Sequence, residues 1–467
     1  MKHSTYLLPA ALLLGSCTVG PDFQRPDING GSGWKEARAT AGARLPDAWW
    51  RLFNDGELTR LIDRALAANN DLAAAKARVD TARALVGVDR ARMFPTLNLN
   101  GSAGISRISQ GGAATANLPP GFAIELEHQQ YRGTFDLAYD PDLWGRNKRL
   151  LEAATAQAAA SAELLDSQRL GVATEVARQY FLLRGLDSQE TVLNNTIKSR
   201  QSTLDIQKSK ADAGLIDALS TSQARTELEL ARNDLAIVER QRGSAEHALA
   251  VLCGTTPAAF SLAHHKPTGT MPVIRAGLPA EVLNRRPDVR AAEQLLRAAN
   301  ARIGVAQAAF YPNFNLLAGA GFESVDASRF LDWQNRVLSL GAGVAAPIFD
   351  AGSNKSNYQA ALSRRDEALA SYRNSLLVAL REVEDSLLDL KGLARSRAAL
   401  DQALASATDT FRLSSERYDK GLSSYLEVVD ADRTVLRVQL ILALTDAQQR
   451  ITLAALAKAL GGGWSGK

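Results

Sequence analysis

Phe94-Pro95-Thr96-Leu97-Asn98 in the first half of the chain returns in the second as Tyr311-Pro312-Asn313-Phe314-Asn315, at an offset of 217 residues. The register extends backward, Asn70-Asp71 lying against Pro287-Asp288. Further along, Gly185 matches Gly392, Gly214-Leu215 matches Gly421-Leu422 and Leu219 matches Leu426, now at an offset of 207. The shortening falls in the Gly/Ala/Pro-rich stretch Gln110 to Pro120, where a loop tolerates a change of length. The chain is therefore a tandem duplication of one unit a little over 200 residues long.

Each copy has the same order of elements. It opens with a helical pattern, Leu58 to Arg92 and then Val289 to Ala309, stopped by Phe-Pro or Tyr-Pro. Period-2 stretches follow. Leu97, Leu99, Gly101, Ala103 and Ile105 share one face, opposite Thr96, Asn98, Asn100, Ser102 and Ser106. Tyr131, Gly133, Phe135, Leu137 and Tyr139 repeat the pattern, as do Phe314 to Phe322 and Leu338 to Val344 in the second copy. Strands that are apolar on one face and small or polar on the other have the character of a membrane barrel. Very long helical patterns come next: Asn147 to Asp212 holds no proline and would run roughly 100 Å. The chain turns at Gly214 and Gly421 and returns through Ser220 to Leu252 and Tyr425 to Leu460.

Composition narrows the function classes. With 46% hydrophobic and 22% charged residues the chain is a folded protein, and 54 basic against 50 acidic residues leave no dense basic surface for nucleic acid. No uninterrupted apolar run reaches the roughly 18 residues of a spanning helix, so a bilayer would be crossed by strands. The five histidines lack Asp, Glu or Cys at metal-ligand spacing, and no nucleophile elbow or phosphate loop is complete. No catalytic, metal or cofactor site is expected.

The N-terminus reads as a secretory signal: Lys2 and His3, an apolar stretch from Tyr6 to Leu14, then small residues up to Cys17. The alternative is an ordinary cleaved signal with an incidental Cys. Cys253, in an apolar run, is read as a small buried hydrophobe. Four strands cannot close a barrel, and an open edge is not tolerated in lipid, so other copies of the chain must complete them. Sequence physics asks for oligomerisation without choosing its order. The competing reading is a non-porous, lipid-anchored periplasmic coiled-coil scaffold, whose soluble hairpins should carry outer-face charge that Leu97 to Ile105 and Leu338 to Val344 lack.

Several motifs carry a family resemblance. They are Leu14-Gly15-Ser16-Cys17, similar to a bacterial lipobox, Cys17 to Phe23, Trp49-Trp50, Arg285-Arg286-Pro287-Asp288-Val289, Pro347 to Gly352, Glu416 to Gly421 and Lys458 to Trp464. Together the chain resembles the TolC-like, NodT-type outer-membrane lipoprotein subunits of tripartite efflux pumps. The resemblance implies an internally duplicated α+β membrane protein with four β-strands per chain. These would contribute to a homotrimeric 12-stranded outer-membrane β-barrel, continued by a long α-helical periplasmic barrel. Implied partners are outer-membrane lipid, a periplasmic adaptor (membrane fusion) protein and an inner-membrane resistance-nodulation-division pump. Cys17 would carry diacylglycerol and an acyl chain, enough together for stable anchoring. The chain would conduct small molecules such as drugs passively, without catalysis.

Expected boundaries are a signal peptide at 1–16, an acylated extension at 17–54 and a first repeat at 55–254 with a strand hairpin at 96–140 and a helical hairpin at 146–252. An equatorial connector at 255–284 precedes a second repeat at 285–461, with hairpins at 313–346 and 353–460, and a tail at 462–467. By resemblance, the turns bearing Gly214, Leu215, Gly421 and Leu422 are the tips that meet the adaptor; each glycine also serves as a plain left-handed cap. Leu426 and Asp430 lie on one helix face, and the resemblance places them in constricting rings, matched in the first copy by Leu219 and Gln223. A ring of Asp430 carboxylates would attract cations, whereas the bland reading pairs Asp430 with Arg433 at i+3. Tyr131, Tyr139 and Trp333 are candidate girdle aromatics, and Trp144 and Phe349 are expected to pack beside the strand-to-helix turns.

Overall fold

The structure, a computed structural model, describes residues 18–27, 31, 33–38, 45–109, 127–265 and 269–462. Cys17 and the signal stretch, Gln110 to Pro120, and Trp464 lie outside these residues. In chain order the elements are α1 (Gly56–Ala68), α2 (Asn70–Ala91), β1 (Thr96–Arg107), β2 (Glu127–Tyr139), α3 (Arg146–Asp212), α4 (Ala218–Leu252), α5 (Pro279–Arg285), α6 (Pro287–Ala308), β3 (Asn313–Ser324), β4 (Arg336–Ala345), α7 (Ser353–Asp419) and α8 (Tyr425–Ala459).

Four of the six matched pairs of elements keep their length from one repeat to the other. Helices α2 and α6 have 22 residues each, β1 and β3 have 12, α3 and α7 have 67, and α4 and α8 have 35. One expectation needs correction, since the opening helix is not continuous from Leu58 to Arg92. Asn69 adopts an extended conformation, ends α1 and caps α2 by accepting from the Leu72 N–H at 3.1 Å. Its copy, Arg286, is also extended, because Pro287 excludes the helical region for the residue before it. The same kink is thus made by a capping side chain in one repeat and by proline in the other.

The chain divides into two compact units. The first gathers Asp80–Ala159 and Gln294–Ala370 with the N-terminal stretch to Arg25. It holds one antiparallel sheet of order β1-β2-β3-β4, so β1 and β4 are its edges. The register puts Leu99, Phe135, Ala320 and Leu338 in one cross-strand row, and Leu97, Leu137, Ala318 and Leu340 in the next. Directly opposed residues point to the same side, so these rows build one apolar face. The opposite face carries Asn98, Asp136 and Ser339, then Asn100 and Thr134. Asn100 donates to the Asp136 carboxylate at 2.6 Å and Thr134 at 3.0 Å, a polar network that suits water rather than lipid. Leu338 and Leu340 are 86% and 89% exposed, which is why no soluble hairpin fits.

Where β2 passes into α3, Trp144 stacks on Tyr311 at 4.7 Å and donates to the Pro312 carbonyl at 2.7 Å. Phe349, expected to pack at the matching turn, is instead 89% exposed, and its neighbour Ile348 94%. The stretch after Cys17 is fastened to this unit. Arg149 donates to the Val19 and Gly20 carbonyls and to Asp22, while Gly20 lies against Gly304 so closely that a side-chain carbon there would meet its Cα at 2.4 Å.

The second unit comprises Pro26–Val79, Ala160–Glu293 and Ser371–Lys467. Its main core joins Trp49, Phe53, Leu58 and Ile62 to Val176, Tyr180, Phe181 and Leu249. Each such side chain contributes about 2 to 3 kcal/mol by leaving water. Cys253 is a free, buried thiol in this core, as expected of a small hydrophobe. Arg286 is buried too, held by Asp288 at 2.6 Å and the Ala459 carbonyl at 3.1 Å, so the Arg-Pro-Asp motif ties the second kink to the end of α8.

Candidate gate and docking site at the helical turns

Helices α3 and α7 end identically. Gly214 and Gly421 have φ of 65° and 70°, the left-handed region that glycine enters without cost. The Leu215 N–H donates to the Lys210 carbonyl and the Gly214 N–H to that of Ala211, each at 2.9 Å; Leu422 and Gly421 repeat this with Arg417 and Tyr418. These are Schellman caps, which satisfy the carbonyls a helix end leaves open. Leu215 and Leu422 are 74% and 67% exposed, so each turn presents an apolar tip to solvent.

Past the turns, α4 and α8 sort their faces cleanly. Leu219 and Leu426 are exposed, as is Asp430, while Gln223 is half-buried. The opposite faces pack: Ala224 and Leu228 of α4 and Tyr425 and Val429 of α8 form a small core with Leu204 of α3. Sequence reasoning offered Arg433 as a partner for Asp430. The structure turns Arg433 to the Glu227 carboxylate of α4, with Nε at 2.9 Å, while the exposed Asp430 keeps a charge interaction with Arg433. Glu227 is buried and also faces Arg200 of α3 at 3.3 Å, and Arg200 donates through Nε to Asp432 of α8 at 2.9 Å. Tyr418 closes the cluster by donating to Gln207 at 3.0 Å.

Two cations and two carboxylates thus fasten the second hairpin to the first. The Glu227 carboxylate beside it raises Arg433 above the ordinary arginine value, against a smaller desolvation. Burial, reinforced by the Asp432 charge, pushes the Tyr425 phenol up to about 12. None of Arg200, Glu227 or Asp432 was singled out from the sequence. The signal available was broken repeat symmetry: Arg200 faces Ala407 in the register, Glu227 faces Thr434, and Arg433 faces Thr226.

Chain folding also assembles carboxylates around His264 and His265 that sequence spacing did not reveal. His264 Nδ1 lies 2.9 Å from Glu190 and His265 Nε2 lies 2.7 Å from Glu57, while Asp187 is held by both Arg184 and Arg242. The two guanidiniums pair with Asp187 and tie it into a buried ion-pair network.

A model of the outer membrane efflux protein family matches residues 61–255 and 278–462, one match per repeat. This chain belongs to the outer membrane efflux protein family. Among relatives, it is 33% identical to outer membrane protein OprJ of Pseudomonas aeruginosa over 97% of this chain and 94% of that one. It is likewise 33% identical to the solvent efflux pump outer membrane protein SrpC of Pseudomonas putida, over 100% and 99% of the two chains. The solved outer-membrane channel OprN superposes with a TM-score of 0.88 over 96% of this chain and 100% of that one, at 27% identity. This efflux protein is therefore an outer-membrane channel component with four strands and two long helical hairpins per chain. Its family is one of export channels.

Proposed function

We propose that three copies of this efflux protein close twelve strands into an outer-membrane barrel and six helical hairpins into a periplasmic duct. The duct receives small molecules from a periplasmic adaptor and an inner-membrane resistance-nodulation-division pump, and conducts them passively outward without catalysis. The observation that carries this reading is the sheet: uncharged apolar rows run across all four strands, yet β1 and β4 remain open edges. An unpaired edge in lipid costs several kcal/mol per orphaned group, and a β4-to-β1 junction between copies removes it. The same uncharged rows argue against the scaffold reading.

In this reading Cys17 carries the diacylglycerol and acyl chain, and the fastened residues 18–22 set where that anchor leaves the fold. The exposed Leu215 and Leu422 tips supply the apolar surface for the adaptor, and Leu219, Gln223, Leu426 and Asp430 form the constriction. Light scattering on the detergent-extracted protein, corrected for bound detergent, tests the assembly. A mass of three chains is expected, and a monomer or dimer stable across mild detergents overturns the duct. The mass of the N-terminal peptide tests the anchor: an unmodified Cys17 removes it without touching the barrel.

A further inference from the structure

The apolar face of the sheet holds few charges. Among the described strand residues in register with it, Arg107 is matched by Glu127 at 3.0 Å. Arg336, which opens β4 opposite Phe322, has no such match. Its guanidinium lies over the Trp333 ring at 4.5 Å and donates to the Trp333 carbonyl at 2.7 Å, with no carboxylate of the described residues within ion-pair distance. Nearby Arg329 is already neutralised by Asp332 at 3.1 Å. Both partners of the stacked pair are exposed, Trp333 at 75%.

Arg336 and Trp333 border an open groove of about 720 Å³ whose floor is Phe135, Ala320, Phe322 and Leu338. The groove lies at the end of the sheet joined by the β3–β4 loop, away from the strand ends that lead into α3 and α7. In an outer-membrane barrel that end is the outer-leaflet boundary, where aromatic side chains form a girdle. A lone guanidinium beside an apolar slot at that depth matches a phosphate above an acyl chain. Arginine suits it because the planar fork binds phosphate bidentately while its face stays stacked on an indole.

We propose that Arg336 and Trp333 bind the phosphate of an outer-leaflet phosphorylated glycolipid, one of whose acyl chains occupies the adjoining groove. The proposal rests on the outer-membrane barrel reading. It goes beyond that reading in assigning a lipid class and two residues.

The full chain, extracted in a neutral detergent, is titrated with diphosphorylated lipid A, and bound lipid is counted by native mass spectrometry. Arg336→Gln is expected to weaken binding about tenfold, the loss of one charged hydrogen-bonding partner, and Trp333→Ala severalfold. Removing the lipid's phosphates should weaken wild-type binding equally and leave the Arg336→Gln variant unchanged. Equal binding by wild type and Arg336→Gln overturns the proposal. Phosphatidylglycerol binding as tightly as lipid A also overturns it, in favour of a phospholipid. Vesicle insertion separates this from the underlying reading: a wild-type chain that does not insert sinks both, whereas one that inserts yet ignores Arg336→Gln sinks the lipid site alone.

Discussion

Arg433 of α8 donates to Glu227 of α4 at 2.9 Å, joining the return helix of the second repeat to that of the first. Glu227 is buried and faces Arg200 at the same time, so one carboxylate touches both guanidiniums. Glu227→Gln keeps the shape and removes the charge. The tip contact should weaken by on the order of 2 kcal/mol, less than a fully buried pair costs because Arg433 is half exposed. Planar-bilayer recording should show a higher open probability, while a closed-state conductance like wild type would disconnect this cluster from gating.

Asp430 is exposed, as is Leu426 one helical turn before it, and reaches that cluster through its charge on Arg433. Asp430→Ala should therefore leave folding intact, within about 0.5 kcal/mol, as for most surface changes. Cation preference, read as the reversal potential across a salt gradient, should fall. An unaltered reversal potential would mean that these carboxylates do not line the path.

The tip should also loosen at high pH. Tyr425 has its folded pKa raised to about 12, above the ordinary tyrosine value of 10, mainly by burial. A raised folded pKa means that the folded state holds its proton longer. Its contribution is complete below pH 10 and is lost as pH rises toward 12. Tyr425→Phe, which keeps the ring and deletes the titrating group, should lessen the fall in thermal stability across that window. Absorbance at 295 nm during an alkaline titration should lose one late-titrating tyrosine.

Gly185 and Gly392 occupy the same place in the two repeats but in different surroundings. A Cβ on Gly185 would meet the Ala447 Cβ at 2.6 Å, whereas one on Gly392 meets nothing within 4 Å. Gly185→Ala should thus lower the melting temperature by forcing α3 and α8 apart. Gly392→Ala should raise stability by up to about 1 kcal/mol through helix propensity. Equal effects in a thermal melt would contradict the packing.

By itself the sequence determined the duplication, the four alternating strands, the long helices and the two glycine turns. All of these follow from local rules: side-chain period, proline at helix ends and φ freedom at glycine act over a few residues. The exposed Leu215, Leu219, Leu422 and Leu426 were legible for the same reason, since each lies within a turn or two of its glycine. Only the tertiary structure decided the kink at Asn69, whose side chain acts as a cap where no proline announces a break. It also decided that Arg433 chooses Glu227 over Asp430, because burial makes an unpaired Glu227 far costlier than an exposed Asp430. A pairing over some two hundred residues leaves no periodic trace in either partner's neighbourhood; it is set by which faces of α3, α4 and α8 meet.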